Sequence, residues 1–573
     1  MKGQALPVGI SDFNEIRQKN CYYVDKTGII EELINAGGTK VTLITRPRRF
    51  GKTLGMSMLE CFFDIRRDSR ELFKGLKISG NTSLCEQWMN KYPTVFLSFK
   101  DIDGRDFASA LDMLRLEIAK LYNKHDYIIA DDKLNANNKK MFESLADPVN
   151  GHPSDALLKS SIALLISMLH DYYGKQVIVL LDEYDVPIAK ANSKGYYDEM
   201  LDIMRSMLSM ALKDNSELQF AVVTGCMRLA KESIFTGLNM FKICSITDVS
   251  YDEYFGFKDD EVRQLLRTYG QQDQYDTVKE WYDGYRFGDT DVYCPWDVLN
   301  YADDHITSPK LGPKNYWVNT SGNDIIEQFI KRTDIDCGLA ESELEDLVNG
   351  ETVTKEIHDD LTYKELYESV DNIWSALFMT GYLTQRAAYD NNVYELAIPN
   401  REVQEIITDR ILKLFKANVE GNGDMRDAFC DALARGDAAA SEQLFNEYLS
   451  ETIGIHDTCA AKDLKERFYH GILLGILSTN GAWTVRSNKE SGIGYADIMV
   501  RIPREDTGLI IEVKYAEDSK LDAACDDALR QIDQKDYAYE LERKGVGNVL
   551  KYAFACNRKR CRVMLKKCMA RDA

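Results

Sequence analysis

The sequence predicts an α/β chain with a sheet-bearing domain at each end and a helical, winged-helix-like middle. Three observations carry this. Short apolar runs alternate with amphipathic stretches through residues 1–250, as parallel strands and crossover helices do. From about Tyr251 that alternation weakens. It returns near the C-terminus, where two apolar strands carry carboxylates at their ends. The expected domains are therefore 1–250, a lid-like helical region 251–345, a winged-helix-like and helical linker region 346–455, and a second α/β domain 456–573.

Lys40–Phe63 reads KVTLITRPRRFGKTLGMSMLECFF. Val41–Ile44 is a short buried strand, RPRRFGKT a turn, and Leu54–Phe63 an apolar helix. Strand, turn, GKT and helix is the context of a Walker A phosphate loop, whose free amides and helix start surround phosphate oxygens. Gly51 belongs to that turn, Lys52 reaches the outer phosphates of ATP, and Thr53 holds Mg2+. The usual first glycine is Arg46, followed by the stiff Pro47, so the loop entry is expected to differ. Arg48 and Arg49 are candidates to touch phosphate or to face a partner subunit.

Val177–Leu181 spells VIVLL, a central parallel strand, and ends in Asp182, Glu183, Tyr184 and Asp185. Carboxylates at the end of a core strand are costly unless used. Asp182 is the expected Mg2+ partner and Glu183 the residue that polarises the attacking water. Asp185 is expected to cap the next helix or to brace the loop beside it. Pro93–Phe99 and Gln219–Thr224 supply further strands, with Thr224 placed to sense the γ-phosphate. Arg228 and Lys231 follow as candidates to stabilise transition-state charge, within the chain or across copies. Helices near Phe107–Tyr122, Asp155–Tyr172 and Glu199–Lys213 make the crossovers.

In the middle, Glu261–Tyr269 looks helical, and WYDGYRFG (Trp281–Gly288) and VYCPWDVLNY (Val292–Tyr301) concentrate aromatics. A small core in a helical lid is the favoured account of them, ahead of stacking on a base. NTSG (Asn319–Gly322) caps an expected helix Asn323–Arg332. A helix with a turn at Gly381, then a hairpin around Asp390–Asn392, gives the winged-helix-like module. It lacks a Lys/Arg stripe, so packing is its expected role. Glu402–Leu449 is mostly helical.

Near the C-terminus, Lys465–Leu477 is an amphipathic helix and Thr484–Arg486 begins a strand. Asp497 heads an apolar strand, and Glu512 and Lys514 share one face of the next, with Val513 turned to the core. Asp497, Glu512 and the Val513 carbonyl can hold Mg2+, while Lys514 orients the attacking water. Glu466 offers a further carboxylate.

Composition limits the partners. Lys and Arg number 71 against 92 Asp and Glu, a net charge of -21, which excludes a broad DNA-wrapping surface but not a local basic groove. The 13 cysteines include no CxxC pair and histidines number 7, as expected of reduced thiols in a cytoplasmic protein rather than a zinc site. The N-terminus lacks the apolar run of a signal peptide, and no stretch is apolar enough to span a membrane.

Many ordered segments together resemble the bacterial and archaeal AAA-ATPase-like proteins that end in a PD-(D/E)XK nuclease-superfamily domain. They include LPVGISDF at Leu6, YYVDKT at Tyr22, RPRRFGKT at Arg46, LLDEYD at Leu180 and TGCMRLAKESIFTGLN at Thr224. WYDGYRFG, YWVNTSGND at Tyr316, LAIPNREV at Leu396, FYHGILLG at Phe468, SGIGYADI at Ser491 and IIEVKYA at Ile510 continue the match. The resemblance implies an N-terminal P-loop NTPase sheet and a C-terminal α/β PD-(D/E)XK nuclease-like fold. It implies Lys52, Thr53, Asp182 and Glu183 as nucleotide-site residues and Asp497, Glu512 and Lys514 as the nuclease-like core. Where relatives commonly read GRxD, this chain has Gly494-Tyr495-Ala496-Asp497, which keeps the carboxylate and loses a phosphate-contacting arginine. Gln531 and Lys535 match a recurring QI..K.Y pattern on the following helix. The implied themes are defence, mobile elements and nucleic-acid processing. The expected protein is an ATP- and Mg2+-dependent enzyme, assembling as a homo-oligomer, whose nucleotide state gates cleavage of nucleic acid, DNA ahead of RNA. The alternatives are a signalling or scaffold ATPase with an inert C-terminal domain, and a nucleic-acid-remodelling module.

Overall fold

The computed structural model describes residues 4–130, 133–147, 149, 151, 153–228, 241–317, 343, 347, 350–408, 423–452, 462–478, 483–491, 494–516, 520–544, 546–557 and 560–568. The chain divides into two compact units, residues 1–320 with 354–403, and residues 321–353 with 404–573. The expected helix Asn323–Arg332, Lys231 and the Tyr495 side chain lie outside the described residues.

In the first unit, β1 (Val41–Thr45), β2 (Thr94–Ser98), β3 (Val177–Asp182), β4 (Leu218–Gly225) and β5 (Phe241–Cys244) form a parallel sheet ordered β2-β3-β4-β1-β5. Strands β1 and β3 are buried along their whole length, which is why they read as unbroken apolar runs. Leu43, Val95, Val179, Leu181 and Val223 pack on the helices Phe107–Asn123, Ser161–Tyr173 and Tyr197–Leu212. Helix α1 (Lys52–Phe63) follows the phosphate loop directly. Strand β5 was not expected from the sequence: it is a short, half-exposed edge strand, and of its residues only Cys244 is buried.

The aromatics of Trp281–Tyr301 are packed rather than displayed. Tyr282, Tyr285, Phe287, Val292 and Tyr293 are all at most 2% exposed. They belong to the hairpin β6 (Tyr285–Phe287) and β7 (Thr290–Val292) and its flanks, ahead of helix α2 (Pro295–Thr307), which starts on Pro at its first turn. Strand β8 (Val353–Glu356), helix α3 (Val370–Thr380) and strands β9 (Thr384–Tyr389) and β10 (Val393–Ala397) make the winged-helix-like module, its sheet ordered β8-β10-β9. The hairpin turns where expected, with Asn391 and Asn392 at φ 63° and 57°, conformations asparagine tolerates better than most residues.

In the second unit, β11 (Thr484–Ser491), β12 (Gly494–Ile502), β13 (Thr507–Tyr515), β14 (Asn548–Asn557) and β15 (Arg560–Cys568) form a sheet in chain order, antiparallel except for the parallel pair β13–β14. Helix α4 (Lys462–Ser478) buries Tyr469, Ile472, Leu473 and Ile476 against Ile498, Val500, Leu509, Ile511 and Val513. Helix α5 (Leu521–Gln534) buries Cys525 and Ala528 against Ala553 and Ala555, and Ile532 against Met499 and Ile510, on the other face. Strands β14 and β15 went unpredicted: β14 is buried along nearly its whole length and so shows no alternation, and β15 opens on the basic run of NRKRCR.

Candidate functional site

Parallel strands deliver their C-terminal ends to one edge of the sheet, and there the first constellation forms. Asp182, the last residue of β3, is fully buried. Its Oδ1 accepts the Thr224 hydroxyl at 2.8 Å, and its Oδ2 accepts the hydroxyls of Thr53 at 2.9 Å and Ser98 at 3.0 Å. Burial raises the Asp182 pKa, Glu183 adds to this, and the hydroxyls work against it. Ser98 stands beside Asp182 in the β2–β3 register; its position at the end of PTVFLSF was the available signal, and sequence reasoning passed over it.

Lys52 is 3% exposed. Its ammonium donates to the carbonyls of Arg46 (3.0 Å) and Pro47 (3.1 Å) and lies 3.2 Å from Glu183 Oε1. Burial opposes its charge, but the acidic groups around it, Cys226, Glu183, Asp185 and Asp182, hold its pKa above the ordinary lysine value. Glu183 itself sits at φ 53°, a left-handed conformation that non-glycine residues adopt at a cost and that recurs at functional strand ends.

Asp185 resolves its two expectations in favour of bracing. It makes no side-chain cap to the helix Val186–Lys194. Its Oδ2 accepts the backbone amides of Cys226 (2.9 Å) and Met227 (3.0 Å) and the Tyr363 hydroxyl (3.3 Å). Burial, reinforced by Glu183, pushes its pKa up to about 6. Gly225 is required beside it, since a Cβ there would lie 2.6 Å from the Tyr184 ring.

Two arginines lie away from the Lys52 cluster. Arg49 takes φ 71°, Gly51 takes φ 88°, and the Arg49 guanidinium lies 4.5 Å from the Trp296 ring centre and donates to the Tyr316 carbonyl. The turn that shapes the loop thus commits the Arg49 side chain to the aromatic flank instead of to the Lys52 cluster. Arg228 is ion-paired with Asp359 at 2.9 Å and does not join the groups around Asp182. Arg48 is the arginine among the carboxylates: against the opposing effect of burial, Cys226, Tyr363, Asp185 and Glu183 raise its pKa. Beside Gly51, Leu54 and Gly55 an apolar cavity opens, lined also by Tyr22, Phe255 and Leu299.

The second constellation lies in the second unit. Asp497 Oδ2 accepts the Val513 amide at 2.9 Å. A residue's N–H and C=O leave a strand toward the same edge, so the Val513 carbonyl also faces the Asp497 side. Glu512 is 1% exposed; its Oε1 accepts Lys514 Nζ at 3.1 Å and the Gln531 amide, while its Oε2 is buried with no partner among the described residues. Burial, with Asp497 adding to it, pushes the Glu512 pKa up to about 7. Lys514 is held above the ordinary lysine value, burial being outweighed by Glu512 and Glu466. Glu466 and His470, one turn apart on α4, reach both strands: Glu466 Oε1 accepts the Tyr515 amide at 3.2 Å, and His470 Nε2 lies 2.9 Å from the Asp497 carbonyl. His470 escaped sequence reasoning, because a lone histidine in an apolar helix gives no signal. Among the described residues, His, Cys, Asp and Glu nowhere gather in threes as a metal group. An oxygen-loving cation would take Asp497, Glu512 and the Val513 carbonyl, and the orphaned Glu512 oxygen fits that use.

Comparison with known proteins agrees with this division. Residues 7–235 match the family model described as predicted AAA-ATPase, and residues 464–566 match that of the PD-(D/E)XK nuclease superfamily. Over 457 residues, 78% of each chain, the sequence is 24% identical to a protein of Azotobacter chroococcum mcd 1 described as the uncharacterized protein in the vnfD 5' region. No helix among the described residues is long and apolar enough to cross a membrane.

Proposed function

We propose, for a chain that carries an AAA-ATPase-like domain and a PD-(D/E)XK nuclease-superfamily domain, that it hydrolyses ATP and that its nucleotide state governs metal-dependent cleavage of nucleic acid. The observation that carries the ATPase half is the gathering of Thr53, Ser98 and Thr224 on Asp182, beside the Lys52–Glu183 pair. In this reading Lys52 and the loop amides bind the phosphates, and Thr53 with Asp182 would hold Mg2+. Mg2+ would supply charge neutralisation at the phosphates. Glu183 orients and polarises the attacking water, and Thr224 senses the γ-phosphate. Gly51 contributes its freedom at positive φ, which lets the loop bring its amides close.

In the second unit Asp497, Glu512 and the Val513 carbonyl would hold the divalent ion, whose role is to polarise the scissile phosphate and lower the pKa of water. Lys514 orients the water and offsets phosphate charge, and Gln531 holds Glu512 in place. DNA is the preferred substrate over RNA. Arg228 is retained as a contributor of charge only after release from Asp359, with a second copy of the chain as the site it would serve. The free cysteines, most of them buried, suit a reducing cytoplasm.

The test incubates the full chain with Mg2+ or Mn2+ and labelled single- and double-stranded DNA and RNA, with and without ATP, beside Lys52→Ala and Glu512→Ala. Cutting that is lost in Glu512→Ala and altered in Lys52→Ala is the expected result. ATP hydrolysis without cutting under every condition would leave a scaffold ATPase, a reading compatible with the net charge of -21.

A further inference from the structure

The phosphate loop opens on Arg46 where loops of this form have glycine. Its side chain is 0% exposed, and burial pulls its pKa down to about 10. Among the described residues its hydrogen-bond acceptors are all main-chain carbonyls. Nη1 donates to Thr45 (2.8 Å), Cys244 (3.0 Å) and Ser245 (2.6 Å), and Nη2 donates to Ser250 (3.4 Å). Thr45 and Cys244 end the neighbouring strands β1 and β5, where parallel strands leave carbonyls that the ladder no longer pairs. The guanidinium also lies 5.2 Å from the Phe287 ring centre and 5.7 Å from that of Phe255. Phe287 in turn packs on Phe50 of the loop, ring centres 5.0 Å apart. The backbone of Arg46 completes the arrangement: its amide donates to Gly225 (3.1 Å), and its carbonyl accepts Lys52 Nζ (3.0 Å).

We propose that Arg46 is a positioning residue of the nucleotide site. It does by side-chain anchorage what glycine does by backbone freedom. The positive-φ turns move to Arg49 and Gly51, and the loop entry is pinned to the ends of β1 and β5 and to the aromatic β6–β7 hairpin. Through its carbonyl it sets where the Lys52 ammonium stands. The inference rests on the reading of this loop as the ATP site.

It makes a prediction opposite to that of the motif. Arg46→Gly restores the common loop sequence, and motif logic expects binding to be kept or improved. Anchorage expects the reverse, because the substitution orphans buried carbonyls and leaves a void between Phe255 and Phe287. The experiment measures Mg2+-ATP affinity of the full chain by calorimetry at temperatures where circular dichroism shows each variant folded. Arg46→Gly is expected to weaken ATP by about tenfold or more, and Arg46→Lys, which keeps charge but not the planar fork, to recover part of the loss. A purely structural role would lower melting and leave the affinity of the folded protein unchanged. Folded Arg46→Gly with an affinity within about twofold of the parent overturns the inference. If Arg46→Gly does not fold, Phe287→Leu decides, with weaker ATP binding expected and unchanged binding overturning it. A parent chain that binds no ATP would instead remove the ATP-site reading itself.

Discussion

Lys52 and Glu183 form an ion pair of 3.2 Å at the C-terminal edge of the first sheet, with side chains 2% and 16% exposed. A buried ammonium keeps its charge there because carboxylates outweigh burial. The two residues have separable duties in the proposed reaction. Lys52→Ala is expected to lose ATP binding. Glu183→Gln is expected to bind ATP and to slow turnover by about 10²–10⁴-fold, the usual loss when a catalytic base is removed. Calorimetry and steady-state phosphate release on the same preparations check both. Equal loss of binding in the two variants would contradict the division of labour.

Thr224 and Ser98 contribute differently to Asp182. Thr224 is the hydrogen-bond donor to Oδ1, whereas Ser98 shares Oδ2 with Thr53. Thr224→Val therefore leaves a fully buried oxygen unsatisfied and is expected to cost about 1–3 kcal/mol. Ser98→Ala is expected to cost about 0.5–1.5 kcal/mol. Urea unfolding of the two variants measures the order, which reverses if Ser98 is the main support.

Asp297 on α2 and Glu402 after the wing form a buried carboxyl pair, and Glu402 Oε1 accepts the Trp317 amide at 2.7 Å. Burial raises both pKa values, so the folded pair retains a proton that the unfolded chain releases in the ordinary carboxylate range. The native state then binds more protons than the unfolded one. Stability from this pair is full below that range and falls as pH rises through neutrality. Glu402→Gln removes one titration while keeping the shape. The melting temperature of the parent is expected to fall between mildly acidic and alkaline pH, and that of Glu402→Gln to fall less.

Glu512 is raised to about 7 by burial and by Asp497, so the unliganded second unit loses stability as pH rises through that value. A divalent ion bound there reverses the penalty. Mn2+ at about a hundred times its Kd is expected to add ~2.7 kcal/mol to the second unit. Melting with and without Mn2+, for the parent and for Glu512→Ala, reads this directly. An equal rise in both places the ion elsewhere.

Local chemistry made much of this protein legible from sequence. A strand, a GKT turn and a helix are contiguous, and so are VIVLL with its acidic end and IIEVKYA, so each announces itself within a dozen residues. Thr53 and Asp182 could be paired on paper because parallel strands bring their C-terminal ends to one edge. Gln531 stands out only through the resemblance.

What the tertiary structure decided is where long side chains go and which distant groups are buried together. In the sequence, Arg46 is set apart from Arg48 and Arg49 only by standing in the place of the motif's first glycine, and no local pattern says where any of the three side chains goes. One is buried under carbonyls, one stands among carboxylates and one lies on Trp296. Strand ends, φ values and the packing of residues some two hundred positions away separate them. Asp297 lies in VYCPWDVLNY and Glu402 in LAIPNREV, and nothing in either segment pairs them; their raised pKa values arise because folding removes both from water. The sequence determines the chemistry available at a strand end, since backbone geometry there is set by near neighbours. Partnership across the fold depends on burial and on distances that no local pattern contains.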